Sequence, residues 1–148
     1  MIKERIQSDM KAAMKAGDKR RLGVIRLILA AVKQREVDER ILLDDAQTLA
    51  VLDKMVKQRR DAIAQFEQAK RQDLADAERY EVTICQEYLP EPLGDEALAS
   101  LIGEVIAAVG ASSVKDMGRV MAELRPKVQG RADLGVVSGL VKQRLGES

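Results

Sequence analysis

The chain has no histidine and no tryptophan, one cysteine, three prolines, one phenylalanine and two tyrosines in 148 residues. Each shortage excludes something. Without histidine there is no imidazole base, no usual nitrogen ligand for zinc, and no Ser-His or Cys-His pair. The single thiol, Cys85, cannot form an internal disulfide. It stands beside Ile84 and near Tyr88 on a helical stretch, where a small core or boundary residue is expected rather than a nucleophile. Such cysteine usage suits a reducing compartment, read here as the cytoplasm. No P-loop or dinucleotide glycine pattern occurs. No apolar run approaches the roughly 20 residues that span a membrane. The opening stretch MIKERIQSDMKAAMKAG lacks the continuous apolar core of a signal peptide. Asp44–Asp45 reads as a helix start rather than a metal pair. The expectation is therefore no catalytic residue, no cofactor, no metal and no membrane partner.

What remains is helix-forming text. Ala, Leu, Lys, Arg, Glu and Gln dominate, and strand formers are scarce, so the composition predicts an all-α protein. A chain of this size buries roughly 68–70% of its surface, enough for one domain or two small ones. Ile2, Ile6, Met10 and Met14 repeat every four residues, and Gly17 and Asp18 punctuate the join to a second helix. That helix bears Leu22, Ile25, Ile28, Leu29 and Val32, a face broad enough for a central position. Asp44 and Gln47 form a capping box before a long helix with Leu49, Leu52, Val56, Ile63 and Phe66. A break is expected at 70–73 with Asp73 as the new cap, followed by a fourth helix marked by Leu74, Ala77, Tyr80, Ile84 and Tyr88. YLPEPLGDE cannot continue a helix. It separates an N-terminal helical hairpin or four-helix domain, 1–90, from a small three-helix domain, 91–148. In the latter, one helix runs from Asp95 to Gly110, a short one from Ser113 to about Leu124, and one from Asp133 to about Leu145.

Net charge is +1, but it is unevenly spread: +6 over residues 1–60, −8 over 61–110 and +3 over 111–148. The ends could neutralise the middle, or a basic surface could face an acidic partner. The stretch LRPKVQGRAD, 124–133, is the densest concentration. It reads as a tight connector carrying Arg125, Lys127 and Arg131 beside Pro126 and Gly130, with Lys115 and Arg119 on the preceding helix and Lys142 and Arg144 on the following one. Its charges either keep a loop solvated or meet an anion such as a phosphate backbone. Gly118, Gly135 and Gly139 thin the flanking helices and admit close approach, more often of a neighbouring helix than of a ligand. No aromatic lies in 111–148, which leaves base stacking aside and points any RNA reading to backbone, sugar and shape.

KDMGRVMAELRPKVQGRADLGVVSGLVKQRL, 115–145, resembles the signature of the YqeY-like (GatB/YqeY) family. RLGVIRLILAAVKQRE, KQRRDAIAQFEQAKRQDLADAERYE and YLPEPL follow that family's order. One departure is AKRQDL, 69–74, where the family usually has a glycine before the Arg. The resemblance implies a two-domain helical protein with a tail similar to that of the B subunit of the glutamine-dependent tRNA amidotransferase. That tail contacts the tRNA body near its elbow, and a similar segment is fused to some glutaminyl-tRNA synthetases. The implied function is a non-catalytic tRNA-binding accessory protein using Lys115, Arg119, Arg125, Lys127, Gly130 and Arg131. Arg20, Arg21 and Arg26, or Lys57, Arg59 and Arg60, would be solvated faces or further docking surfaces. The alternatives are a protein–protein adaptor working through the acidic middle, and a non-catalytic component of an amidotransferase-like complex with a tRNA-amidating or aminoacylating partner. The carbon–nitrogen ligase label attached to the family fits kinship with that enzyme better than chemistry in this chain.

Overall fold

The computed structural model describes residues 1–146. Among them are seven α-helices and no strand: α1 (Ile2–Ala16), α2 (Lys19–Glu39), α3 (Asp45–Gln68), α4 (Gln72–Gln86), α5 (Asp95–Val109), α6 (Met117–Val128) and α7 (Leu134–Gly146). A single 3-10 turn, Val114–Asp116, leads into α6. The chain folds as two compact units, one Met1–Leu89 and one beginning at Pro90.

Helix ends in the first unit follow their cap chemistry. Gly17 closes α1 in the left-handed region at φ 70°, and the Asp18 carboxylate accepts the Arg21 N–H at 3.1 Å to open α2. Asp44 and Gln47 form the reciprocal box of α3 at 2.8 and 3.0 Å. The break between α3 and α4 is made differently from expectation. Lys70 takes the left-handed conformation at φ 59°, Arg71 is the N-cap, and Asp73 lies inside the first turn, paired to Arg71 at 3.2 Å.

Ile6, Ile25, Ile28 and Leu52 are completely enclosed at the centre of this unit, and α2 packs against α1, α3 and α4. The face of α4 is rotated from the sequence reading. Ala75, Val82, Ile84, Cys85 and Tyr88 are buried, whereas Leu74 and Ala77 are exposed. Cross-helix ion pairs finish the packing. Lys3–Glu36 (2.7 Å) joins α1 to α2, Arg21–Glu87 (2.7 Å) joins α2 to the end of α4, and Arg59–Glu81 (2.8 Å) joins α3 to α4. Arg79–Glu67 adds another α3–α4 pair. The Tyr88 hydroxyl donates to Asp9 at 2.5 Å, tying the last turn before the proline stretch to α1.

The second unit has its own core of Leu98, Ile102, Val105, Val120, Leu124, Val128, Val137 and Val141, contributed by α5, α6 and α7. Loss of the fully buried Leu52 side chain should be felt throughout the first unit. Leu52→Ala is expected to destabilise it by about 2–5 kcal/mol, the range for emptying a buried leucine site. Denaturant unfolding followed by helical circular dichroism measures this.

Candidate nucleic-acid interface

The tail's cations are positioned by α6 and its two ends. At the entrance, Asp116 gathers three donors: Ser112 N–H at 2.9 Å, Ser113 N–H at 3.3 Å, and the Arg119 guanidinium at 2.8 Å. Arg119 also donates to the Val109 carbonyl at 3.2 Å, linking the start of α6 to the end of α5. Sequence reasoning placed Arg119 among the RNA-binding cations; the structure occupies it internally. Lys115, one residue before Asp116, is exposed and forms no ion pair among the described residues.

At the exit, α6 does not stop near Leu124. It runs through Pro126 to Val128, and the Gln129 N–H bonds the Arg125 carbonyl at 3.0 Å. Proline has no N–H for the carbonyl four residues back, that of Ala122, but Ala122 is exposed, so water can serve it. Arg125 and Lys127 are thus on the last helical turn rather than on a connector. Residues two apart on a helix leave it about 200° apart. Arg125 turns to the α7 side, and Lys127 to the opposite side, which it shares with Arg119 and Glu123. The expected single cluster is therefore divided, and an anion meets both groups only by approaching the end of α6.

The connector proper is Gln129–Asp133. Gly130 has φ 74°, where a Cβ would be strained, as its position in the sequence suggested. The chain then folds back, with the Arg131 N–H on the Val128 carbonyl at 2.8 Å. Arg131 is a fastening rather than a free cation. Its carbonyl accepts the Leu93 N–H at 2.9 Å, and its Nε donates to the Glu91 carbonyl at 3.0 Å. Asp133 caps α7 as expected, accepting the Gly135 N–H at 2.7 Å, so its own carboxylate covers that helix end.

Between α6 and α7 lies an open groove of about 480 Å³. Met117, Gly118, Met121, Ala122 and Arg125 form one wall, and Leu134, Gly135 and Ser138 the other. The thinning glycines do not serve a helix contact. A Cβ at Gly118 or Gly139 would meet nothing within 4 Å, and at Gly135 only the Asp133 carboxylate at 3.1 Å. The glycine that does allow close packing, Gly103 of α5, was not singled out in the sequence. The Arg144 guanidinium crosses it, 2.8 Å from where a Cβ would stand, to reach the Ala99 carbonyl at 2.9 Å.

Half of the N-terminal basic clusters is committed to structure. Arg21 and Arg59 hold the ion pairs described above, and Arg20 stacks 3.8 Å over the Tyr80 ring, while Arg26, Lys57 and Arg60 are exposed. Burial pushes the Cys85 thiol up to about 11, so it is protonated at neutral pH. Among the described residues no three His, Cys, Asp or Glu side chains stand close enough to share a metal ion.

The family model described as Yqey-like protein matches residues 3–145. A Pyrenophora tritici-repentis protein named "Altered inheritance of mitochondria protein 41, mitochondrial" is 26% identical over 99% of this chain and 82% of its own length. Proteins of the same name from Clavispora lusitaniae and Kluyveromyces lactis are 40% and 37% identical over 57% and 56% of the chain. The chain spans about half the length of these two, 49% and 45%. The names correct the cytoplasmic expectation: these relatives are mitochondrial proteins. A lone thiol fits any reducing compartment, so cysteine usage could not have chosen among them.

The Asp116 box yields a pH signature. The Ser112 N–H, then the Arg119 guanidinium, then the Ser113 N–H, hold its carboxyl down to about 2 from an ordinary 3.8. Because the folded value is the lower one, this stabilisation is complete above about pH 4 and vanishes as pH falls through about 2. Asp116→Asn should remove that part of the acid limb from tail unfolding between these pH values. Parallel acid limbs for the two proteins would refute the assignment.

Proposed function

The chain belongs to the YqeY-like family, and from that membership and the tail's uncommitted cations we propose that it is a non-catalytic tRNA-binding accessory protein. The observation that carries the reading is that Lys115, Arg125 and Lys127 have no carboxylate partner among the described residues, while most cations around them do or are otherwise bonded. Arg125 and Lys127 also complement the negative end of α6, worth about 0.3–1 kcal/mol each. That explanation does not extend to Lys115, which sits just before the positive end of the same helix. Lys115 and Arg125 are ten residues apart, about 15 Å along a helix axis, a separation that addresses two phosphates rather than one.

RNA approaching the α6 end and the Gly130 turn would meet Arg125 and Lys127 together, with Arg131 half-buried behind them as the fastening. Recognition of this kind reads backbone and shape, not base identity. The protonated Cys85 offers no thiolate, and without an imidazole no hydroxyl has a histidine base, which supports a binding role over amidation. An adaptor working through the acidic middle has less support. Glu67, Glu81 and Glu87 of that segment are already paired within the first unit.

Filter binding of unfractionated tRNA at two salt concentrations tests the proposal. Lys115→Glu/Lys127→Glu changes two exposed residues that form no ion pair among the described residues, and should leave the helical signal intact. We expect at least tenfold weaker binding, with the logarithmic salt slope reduced by roughly 0.7–0.9 for each phosphate no longer neutralised. Equal binding by parent and variant would remove the RNA reading from this surface.

A further inference from the structure

We propose that the α6–α7 groove docks an amphipathic helix of a partner protein, one that presents two apolar side chains a turn apart and a carboxylate beside them. The groove is chemically unlike a phosphate site. Met117, Met121 and Leu134 give it an apolar lining, and methionine is the side chain that adapts to varied apolar guests. Leu134 is 39% exposed despite that setting. Gly118 and Ala122, four residues apart, leave one wall bare. Glycine within a helix costs about 1 kcal/mol relative to alanine, and packing among the described residues gives no reason for it at Gly118, where a Cβ would meet nothing within 4 Å. From Met117 to Arg125 the wall runs about 12 Å, length for two guest side chains at i and i+4.

Charge selects the guest. Among the described residues Arg125 is the one ionisable side chain lining the groove, and no ion pair holds it there. Lys142 lies one turn beyond Ser138 on the same side of α7. A second copy related by two-fold symmetry would bring cation to cation, and a basic helix would be repelled. An acidic, leucine-bearing helix satisfies both the apolar floor and Arg125, in the helix-in-groove manner. The groove and Lys127 are on different sides of α6, but Arg125 belongs both to the groove and to the RNA-facing end of the helix, so a docked acidic helix and RNA would compete for it.

The probe is a model helix of about 16 residues, long enough for four turns, built from leucine and glutamate at i, i+4 spacing, with a leucine–lysine counterpart as control. Both are titrated into the full-length chain labelled with 15N. The leucine–glutamate helix should shift amides of α6 and the first turns of α7 in a saturable way, and the leucine–lysine helix should bind at least tenfold more weakly. Gly118→Leu fills the groove where there is space for it and should abolish binding with the spectrum otherwise retained. Arg125→Glu should reverse the preference between the two peptides. Shifts spread over the whole chain, or unchanged affinity in Gly118→Leu, would overturn the proposal. So would a tenfold loss of tRNA binding in Gly118→Leu, which would assign the groove to RNA instead. Retention of RNA binding by Lys115→Glu/Lys127→Glu would sink the RNA reading alone and leave the groove untouched.

Discussion

The tail depends on α6 holding its helix through Pro126. A proline nine positions beyond Met117 ordinarily marks a stop, and its ring and missing N–H cost several kcal/mol in a buried helix interior. Here it falls in the last turn, with an exposed residue four back, and the backbone carries on to Val128, whose side chain is fully buried between neighbours of the tail core. That last turn fixes two things at once. It sends Arg125 and Lys127 to opposite sides, and it places Val128 where its carbonyl takes the Arg131 and Ala132 N–H groups as the chain reverses at Gly130. The Arg131 fastening to Glu91 and Leu93 then secures the reversal against the start of the unit.

The uneven charge of the sequence resolves into two different uses. In the first unit, Lys3, Arg21, Arg59 and Arg79 find carboxylates on neighbouring helices, and two of these pairs, Arg21–Glu87 and Arg59–Glu81, set cations of the basic 1–60 stretch against the acidic middle. Partly buried pairs of this sort are weak evidence of stability, because desolvation offsets their attraction. In the tail, Arg119 is the cation with a carboxylate partner among the described residues, Arg131 and Arg144 bond carbonyls, and the remaining basic side chains stay in solvent. A small helical unit with exposed cations and an adjacent apolar groove has two surfaces of different chemistry, which is the arrangement an accessory protein needs to bridge a polyanion and a protein.

Local chemistry made much of the fold legible. Gly17, Asp18, the Asp44–Gln47 box, Gly110, the Ser113–Asp116 box and Asp133 all act where their residue types predict. The misreadings have physical causes. Leu74 and Ala77 lie on a helical period but on the side of α4 that α3 and α2 leave uncovered, and only packing decides between two apolar faces. The end of α6 was misplaced because a proline signals a break without saying whether a final turn fits around it. The occupied states of Arg119, Arg131 and Arg144 involve partners 3, 40 and 45 residues away. Of these only the first falls within helical reach on the sequence. The groove was invisible for the same reason, since its walls come from two helices and its glycines read more readily as helix contacts. Reducing-compartment logic failed on location because a thiol count cannot distinguish one such compartment from another.

The central claim is that the α6 end and Gly130 turn form the RNA-facing part of the molecule. Titrating tRNA into the 15N-labelled full-length chain tests it most directly. Amides of Lys115, Arg125, Lys127 and Gly130 are expected to shift or broaden first, added salt to reverse the effect, and the first unit's amides to respond later. Perturbation confined to α1–α4, or none at low salt, would contradict it.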